Sequence, residues 1–288
     1  MSTLSRAHSA HSIAEQLAKS KAQLQAFDSA GIDSRLLMCH VLHCEPVYLM
    51  TWPEKELTEA QLCALQQLVA KRKLGHPIAY LIGYRDFWSL RLQVSPATLI
   101  PRPETELLVE TVLALSLPQQ AKVLDLGTGT GAIALALASE KPKWHITGID
   151  KNTDAVALAK QNAQLNKLTQ VCFKHSDWFS NIGNETFSLI VSNPPYVEDD
   201  SVYLQQGDVR FEPTSALTSG PDGLDDIRLI IAKTKAYIAK EGWLAFEHGY
   251  QQAPGIQALF TEHSFEQIHS VDDLNGHPRI TLGRYSAQ

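Results

Sequence analysis

Asn193-Pro194-Pro195-Tyr196 is the segment of this sequence whose residue types most narrowly imply a reaction. It follows the apolar run Phe187-Ser188-Leu189-Ile190-Val191-Ser192, which predicts a strand. Its chemistry would suit methyl transfer to a planar nitrogen. An amide –NH2 is a poor nucleophile, because its lone pair is delocalised into the carbonyl. Two acceptors aimed at its two N–H groups would orient that nitrogen and stabilise the positive charge that develops on it. The Asn193 side-chain oxygen and the Pro194 carbonyl are two such acceptors. Tyr196 can stack on the planar group, and Pro194 and Pro195 keep the loop rigid. No strongly basic side chain is needed, because the proton can leave after the methyl group arrives. Asn193, Pro194 and Tyr196 are therefore the candidate catalytic residues, and with Pro195 they form the candidate acceptor-binding set.

Three other segments have the types and spacing of a cofactor site. Asp125-Leu126-Gly127-Thr128-Gly129-Thr130-Gly131 joins a predicted strand to a predicted helix, and its glycines allow close backbone approach to a ligand. This loop alone could hold NAD, a flavin or S-adenosylmethionine. Asp150 ends the next predicted strand, where a carboxylate can accept both hydroxyls of a ribose; that fits NAD and S-adenosylmethionine equally. Asp177 could accept from an adenine amino group, and Trp178 could stack on its ring. Nicotinamide enzymes have no use for the Asn193 loop in that position. S-adenosylmethionine, leaving S-adenosylhomocysteine, is thus the expected cofactor.

The elements needed to position these residues are legible as an alternation. Strands are predicted at Val123–Leu126, His145–Asp150, Val171–Phe173, Phe187–Ser192 and Trp243–Glu247, with two more near Phe265–Val271 and Arg279–Leu282. Helices are predicted from Glu104 to Leu117, Gly131 to Ser139, Thr153 to Asn166 and Asp225 to Lys240. The expected fold is α/β, with a mostly parallel sheet covered by helices and ligands at the carboxyl ends of strands. The first ~75 residues read as a small helical bundle, with Asp33 and Thr58 as candidate N-caps and Gly75-His76-Pro77 as a stop. Phe87 to Val94 predicts a β-hairpin. The expected division is a helical domain at 1–76, a hairpin linker at 77–103 and a catalytic domain at 104–288.

Composition narrows the partners. Of 288 residues, 44% are hydrophobic and 19% charged, so a folded core is expected. The formal net charge is −6, with the acidic excess after residue 76, which argues against a broad nucleic-acid surface. The four cysteines show no metal-ligand spacing and read as reduced thiols. No apolar run approaches the ~18 residues of a membrane span, so a soluble, cytoplasmic protein is expected. Glu247 and His248 read as the end of a strand near the pocket rather than a general-base pair. Arg210 and Glu212 read equally as an ion pair at the substrate mouth or as surface residues.

Nearly the whole chain resembles the bacterial release-factor glutamine methyltransferases. The matching segments are Tyr84–Trp88, Ile100-Pro101-Arg102-Pro103-Glu104-Thr105-Glu106, Asp125–Gly131, Ser192–Tyr196, Arg210-Phe211-Glu212-Pro213 with Ala216-Leu217, and Gly242 through Gly249. The Ile100–Glu106 and Arg210–Pro213 segments are the narrow ones, since general amino-methyltransferases share only the glycine loop and the Asn-Pro-Pro-Tyr loop. The resemblance implies a class I methyltransferase domain behind a helical substrate-recognition domain. It implies N5-methylation of the glutamine in the Gly-Gly-Gln loop of peptide-chain release factors. Gly127, Thr128, Gly129, Thr130, Gly131, Asp150 and Trp178 would line the cofactor site, and Asn193 would touch both cofactor and substrate. A nucleic-acid adenine N6-methyltransferase also methylates a planar amine and is the alternative enzyme reading. A cofactor-binding module without chemistry is the third, and the intact Asn193 and Tyr196 oppose it.

Overall fold

The computed structural model describes residues 9–286. The chain divides into two compact units, up to Gly83 and from Tyr84 onward.

The first unit is helical: α1 (Ile13–Gln23), α2 (Ala30–Leu42), α3 (Pro46–Thr51), α4 (Glu59–Lys73) and α5 (Ile78–Ile82). Ser12 caps α1, and Thr58 with Gln61 forms a reciprocal capping box on α4. Asp33 is not a cap. It lies inside α2, which starts after Ser29, and it is buried against Arg72 Nε at 2.8 Å. Ser29 donates its hydroxyl to the same carboxylate at 2.9 Å. A buried charge of this kind needs its partner, and removing Arg72 would leave it uncompensated.

The second unit opens with a hairpin, β1 (Tyr84–Phe87) and β2 (Leu90–Gln93), turning at Trp88. Then come α6 (Thr105–Leu113), β3 (Lys122–Leu126), α7 (Ala132–Glu140), β4 (His145–Asp150), α8 (Thr153–Leu165), β5 (Cys172–His175) and β6 (Phe187–Ser192). The chain ends with α9 (Asp225–Thr234), β7 (Ile238–Glu247), α10 (Ala253–Glu262), β8 (Phe265–Asp272) and β9 (Pro278–Tyr285). The predicted helix from Asp225 to Lys240 is shorter than expected. It stops at Thr234, and β7 starts at Ile238, pairing with Phe187 of β6.

The sheet order is β5-β4-β3-β6-β7-β9-β8. β3 to β7 are parallel, and β9 runs antiparallel between β7 and β8. The chain builds outward from β3 to β5, then crosses back to β6, so a crevice opens between β3 and β6 where ligands bind such sheets. Alternate residues serve opposite faces. Val123, Leu189 and Val191 pack with α6, α7 and α8, while Leu124, Ile190 and Leu244 pack with α9 and α10.

Candidate active site

The loop after β3 is shaped by its glycines: Gly127, Gly129 and Gly131 have φ of +69°, +54° and +83°. Side chains rarely adopt that region, so the loop needs glycine there. Asp125 holds the loop from beneath, where its fully buried carboxylate accepts the Thr128 hydroxyl at 2.6 Å. Burial pushes this carboxyl up to about 7, against the pull of Thr128 and the Ala134 N–H. From the side, Asp150 accepts Gly129 N–H at 3.0 Å and Asn152 N–H at 2.8 Å. Burial raises the Asp150 pKa, and those two N–H groups oppose the rise.

The glycine loop and Asp150 border an open cleft. Gly127, Thr128, Gly129, Thr130, Asp150, Asp177, Trp178, Asn193 and Pro195 all line it. The Trp178 ring lies over the loop, 3.6 Å from where a Gly127 Cβ would stand, and its Nε1 donates to Asp226. Gly131 is placed differently. A Cβ there would meet Phe173, Leu135 and Ala159, so this glycine serves helix–sheet packing.

Asn193 follows β6, whose last residue, Ser192, donates its hydroxyl to the Leu126 carbonyl at 2.7 Å. That bond ties the two strand ends flanking the crevice. Asn193 Nδ2 donates to Thr105 Oγ1 at 3.2 Å, at the start of α6. Among the described residues nothing donates to Asn193 Oδ1 or to the Pro194 carbonyl. The loop is clamped from behind, since Tyr196 and Val197 N–H both donate to the Leu217 carbonyl and Gln252 Nε2 donates to the Tyr196 carbonyl.

Tyr196 does not line that cleft. It borders a second cavity with Arg102, Glu104, Glu247 and Arg279, and its hydroxyl donates to Glu247 Oε1 at 3.3 Å. Burial, then the Glu247 charge, raises its pKa. Glu247 ends β7 and is buried, and its Oε2 has no hydrogen-bond partner. His248 is structural: Nδ1–H donates to the Gly249 carbonyl, Nε2 accepts from Thr281, and burial lowers its pKa.

Arg210 and Glu212 form no ion pair. Glu212 instead accepts from Ile100 N–H at 3.1 Å and binds Arg102. Arg210 is exposed, donates to the Gly207 carbonyl and lies over the Phe211 ring. Glu212 therefore joins the Ile100–Glu106 segment to the Arg210–Pro213 segment. Sequence reading passed over Thr105, Asn152, Gln252 and Gly223. Asn152 carried a signal, as an Asn just before a predicted helix, and it caps α8. Thr105 lies in a segment already singled out, but nothing local points it toward Asn193.

A glycine loop and a strand-end carboxylate alone would leave the cofactor class open. The Asn-Pro-Pro-Tyr loop across the crevice, with β9 inserted antiparallel at the sheet's far side, makes the second unit a class I methyltransferase. Comparison with known proteins agrees. A methyltransferase small domain model matches residues 103–211, and a PrmC N-terminal domain model matches residues 15–83. The release factor glutamine methyltransferase of Pseudomonas aeruginosa is 47% identical over 92% of this chain and 96% of its own. That of Shewanella oneidensis is 47% identical over 95% of this chain and 96% of its own. A solved methyltransferase from Pyrococcus furiosus shares the fold at 14% identity, with a TM-score of 0.53 over 77% of this chain and 98% of that one. The chain belongs to the release factor glutamine methyltransferase family.

Proposed function

We propose that this protein methylates the side-chain amide nitrogen, N5, of the glutamine in the Gly-Gly-Gln loop of a peptide-chain release factor, leaving S-adenosylhomocysteine. The observation that carries the reading is the pair of unengaged acceptors, Asn193 Oδ1 and the Pro194 carbonyl, on a clamped loop beside the cleft. A primary amide has two N–H donors to offer them. Asn193 and Pro194 orient the nitrogen and hold the developing positive charge, and the amide proton then leaves. Tyr196 is anchored at its hydroxyl by Glu247, which leaves its ring to pack against the planar amide.

The cleft fits the methyl donor. S-adenosylmethionine supplies, when bound, an electrophilic methyl group on a positively charged sulfur. The Asp150 carboxylate, fixed by two backbone N–H groups, would accept the ribose hydroxyls. Trp178 would stack on the adenine and exposed Asp177 would accept its amino group. Gly127, Thr128, Gly129 and Thr130 form the near wall. The helical first unit would contact the release factor. No helix among the described residues is long and apolar enough to cross a membrane, and we place the reaction in the cytoplasm.

Incubation with radiolabelled methyl donor and either purified release factor or DNA tests the reading. Label on the factor is expected. Label on DNA adenine, with none on the factor, would overturn it in favour of a nucleic-acid substrate.

A second expectation concerns the loop's support. A Cβ on Gly223 (φ +70°) would sit 2.2 Å from the Tyr196 carbonyl oxygen, which is backbone and cannot swing aside. Gly223→Ala is expected to cost roughly 1–3 kcal/mol of stability. Methyl transfer should fall with it as the loop shifts. Denaturant unfolding and an initial-rate assay check both, and a wild-type unfolding midpoint would show that the contact is not tight.

A further inference from the structure

We propose that Asp226 is a positioning residue for the cofactor: it holds the Trp178 ring in place at the cleft through the indole N–H, without touching the cofactor itself. This rests on the reading above that Trp178 stacks on the adenine of S-adenosylmethionine.

Trp178 needs holding. Its φ of +46° lies in the left-handed region, which a bulky side chain adopts only where its surroundings impose it. Three contacts do so here. Ser176 donates its hydroxyl to the Trp178 carbonyl at 2.6 Å, which fixes the main chain. The ring lies against Gly127, where a Cβ would stand 3.6 Å away. The ring's one polar atom, Nε1, donates to Asp226 Oδ1 at 3.2 Å. An indole N–H can only donate, so that edge of the ring must meet an acceptor. Gly127 thus restrains the ring's position over the loop, and Asp226 restrains its edge. A ring held beforehand loses less freedom when a planar base stacks on it.

Asp226 is itself anchored. It lies in the first turn of α9 and does not border the cleft, whereas Trp178 does. Its Oδ2 accepts the Ser219 hydroxyl at 2.9 Å, and its backbone N–H donates to that same hydroxyl oxygen at 2.7 Å. Ser219 is buried and uses its backbone as well. Its N–H donates to the Val197 carbonyl at 3.0 Å, and its carbonyl accepts Asp225 N–H at 3.2 Å. Val197 directly follows the Asn-Pro-Pro-Tyr loop. One carboxylate therefore ties the adenine side of the cleft to the backbone behind the methyl-acceptor side. A carboxylate in the first turn also offsets the helix dipole. That role, however, needs neither Trp178 nor the direction in which Oδ1 points.

The test uses the full chain with S-adenosylhomocysteine as the probe, titrated by calorimetry. Asp226→Ala is expected to raise its Kd about ten-fold, the worth of one hydrogen bond. Asp226→Asn keeps an acceptor for the indole and should bind the probe nearly as wild type does. A readout independent of binding is the Trp178 indole N–H signal in 15N NMR, assigned by its loss in Trp178→Phe. It should move in Asp226→Ala and stay in Asp226→Asn. In a Trp178→Phe background, Asp226→Ala should add little, because the donor is already gone. Asp226→Ser suits the start of a helix but is too short to reach Nε1, and it gives the same reading where the alanine variant fails to fold. A carboxylate that serves only α9 would lower the unfolding midpoint on substitution and leave Kd and the indole signal unchanged, which would overturn the proposal. An undiminished loss of affinity from Asp226→Ala in the Trp178→Phe background would overturn it too. Failure of the wild type to bind the probe would overturn the cofactor reading instead, and the indole signal would still decide whether Asp226 holds the ring.

Discussion

Replacing Asn193 by Ala is expected to slow methyl transfer by about 10²–10³-fold, the usual effect of deleting one group that stabilises charge in the transition state. Cofactor affinity should change little. Asn193 borders the cleft, but the groups read as holding the cofactor belong to other elements: the glycine loop after β3, Asp150 on β4, and Asp177 and Trp178 after β5. The Pro194 carbonyl is backbone and survives the substitution, so some rate remains. A fall in kcat with an unchanged cofactor Kd is the pattern of an interaction made chiefly in the transition state. Single-turnover kinetics and calorimetry measure the two quantities separately. Near-normal turnover would refute the role given to Oδ1.

Replacing Asp150 by Ala should give the reverse pattern. Its carboxylate accepts two backbone N–H groups, from Gly129 and Asn152, and borders the cleft. The substitution removes the ribose acceptor and also loosens the loop carrying Gly129. Hydrogen bonds to charged groups contribute about 1.5–3 kcal/mol, so cofactor affinity should fall on the order of 10²-fold. Acidic pH should mimic this in part, because burial has raised the Asp150 pKa and the carboxylate is neutralised earlier than an exposed one. Calorimetric titration with S-adenosylhomocysteine over pH checks both, and an unchanged Kd in Asp150→Ala would remove Asp150 from the cofactor site.

Local pattern made the sheet legible. The run from Val123 through the glycine loop into α7 reads as strand, turn and helix, because periodicity and glycine are local signals. The acceptors of the Asn193 loop follow from residue type alone. What stayed hidden was pairing across distance. Asp33 looks like a cap from its neighbours, yet its partner is Arg72, on another helix. Arg210 and Glu212 are close in sequence, but Glu212 reaches back to Ile100 and Arg102. Asp225 to Lys240 reads as one helix, because the turn after Thr234 has no Gly or Pro; strand pairing with β6 claims Ile238 instead. Gly131 matches the loop motif, although its neighbours are core side chains. Thr105 was invisible as a partner of Asn193, since their contact exists only once α6 and β6 are side by side.

The most direct measurement maps the methyl group. Purified release factor, reacted with the full chain and S-adenosylmethionine, is digested and analysed by tandem mass spectrometry. A single methyl on the glutamine of the Gly-Gly-Gln loop, absent when that glutamine is replaced by alanine, is the predicted result. Methyl on any other residue, or none on a factor that a known family member does methylate, would contradict the substrate assigned to Asn193 and Pro194.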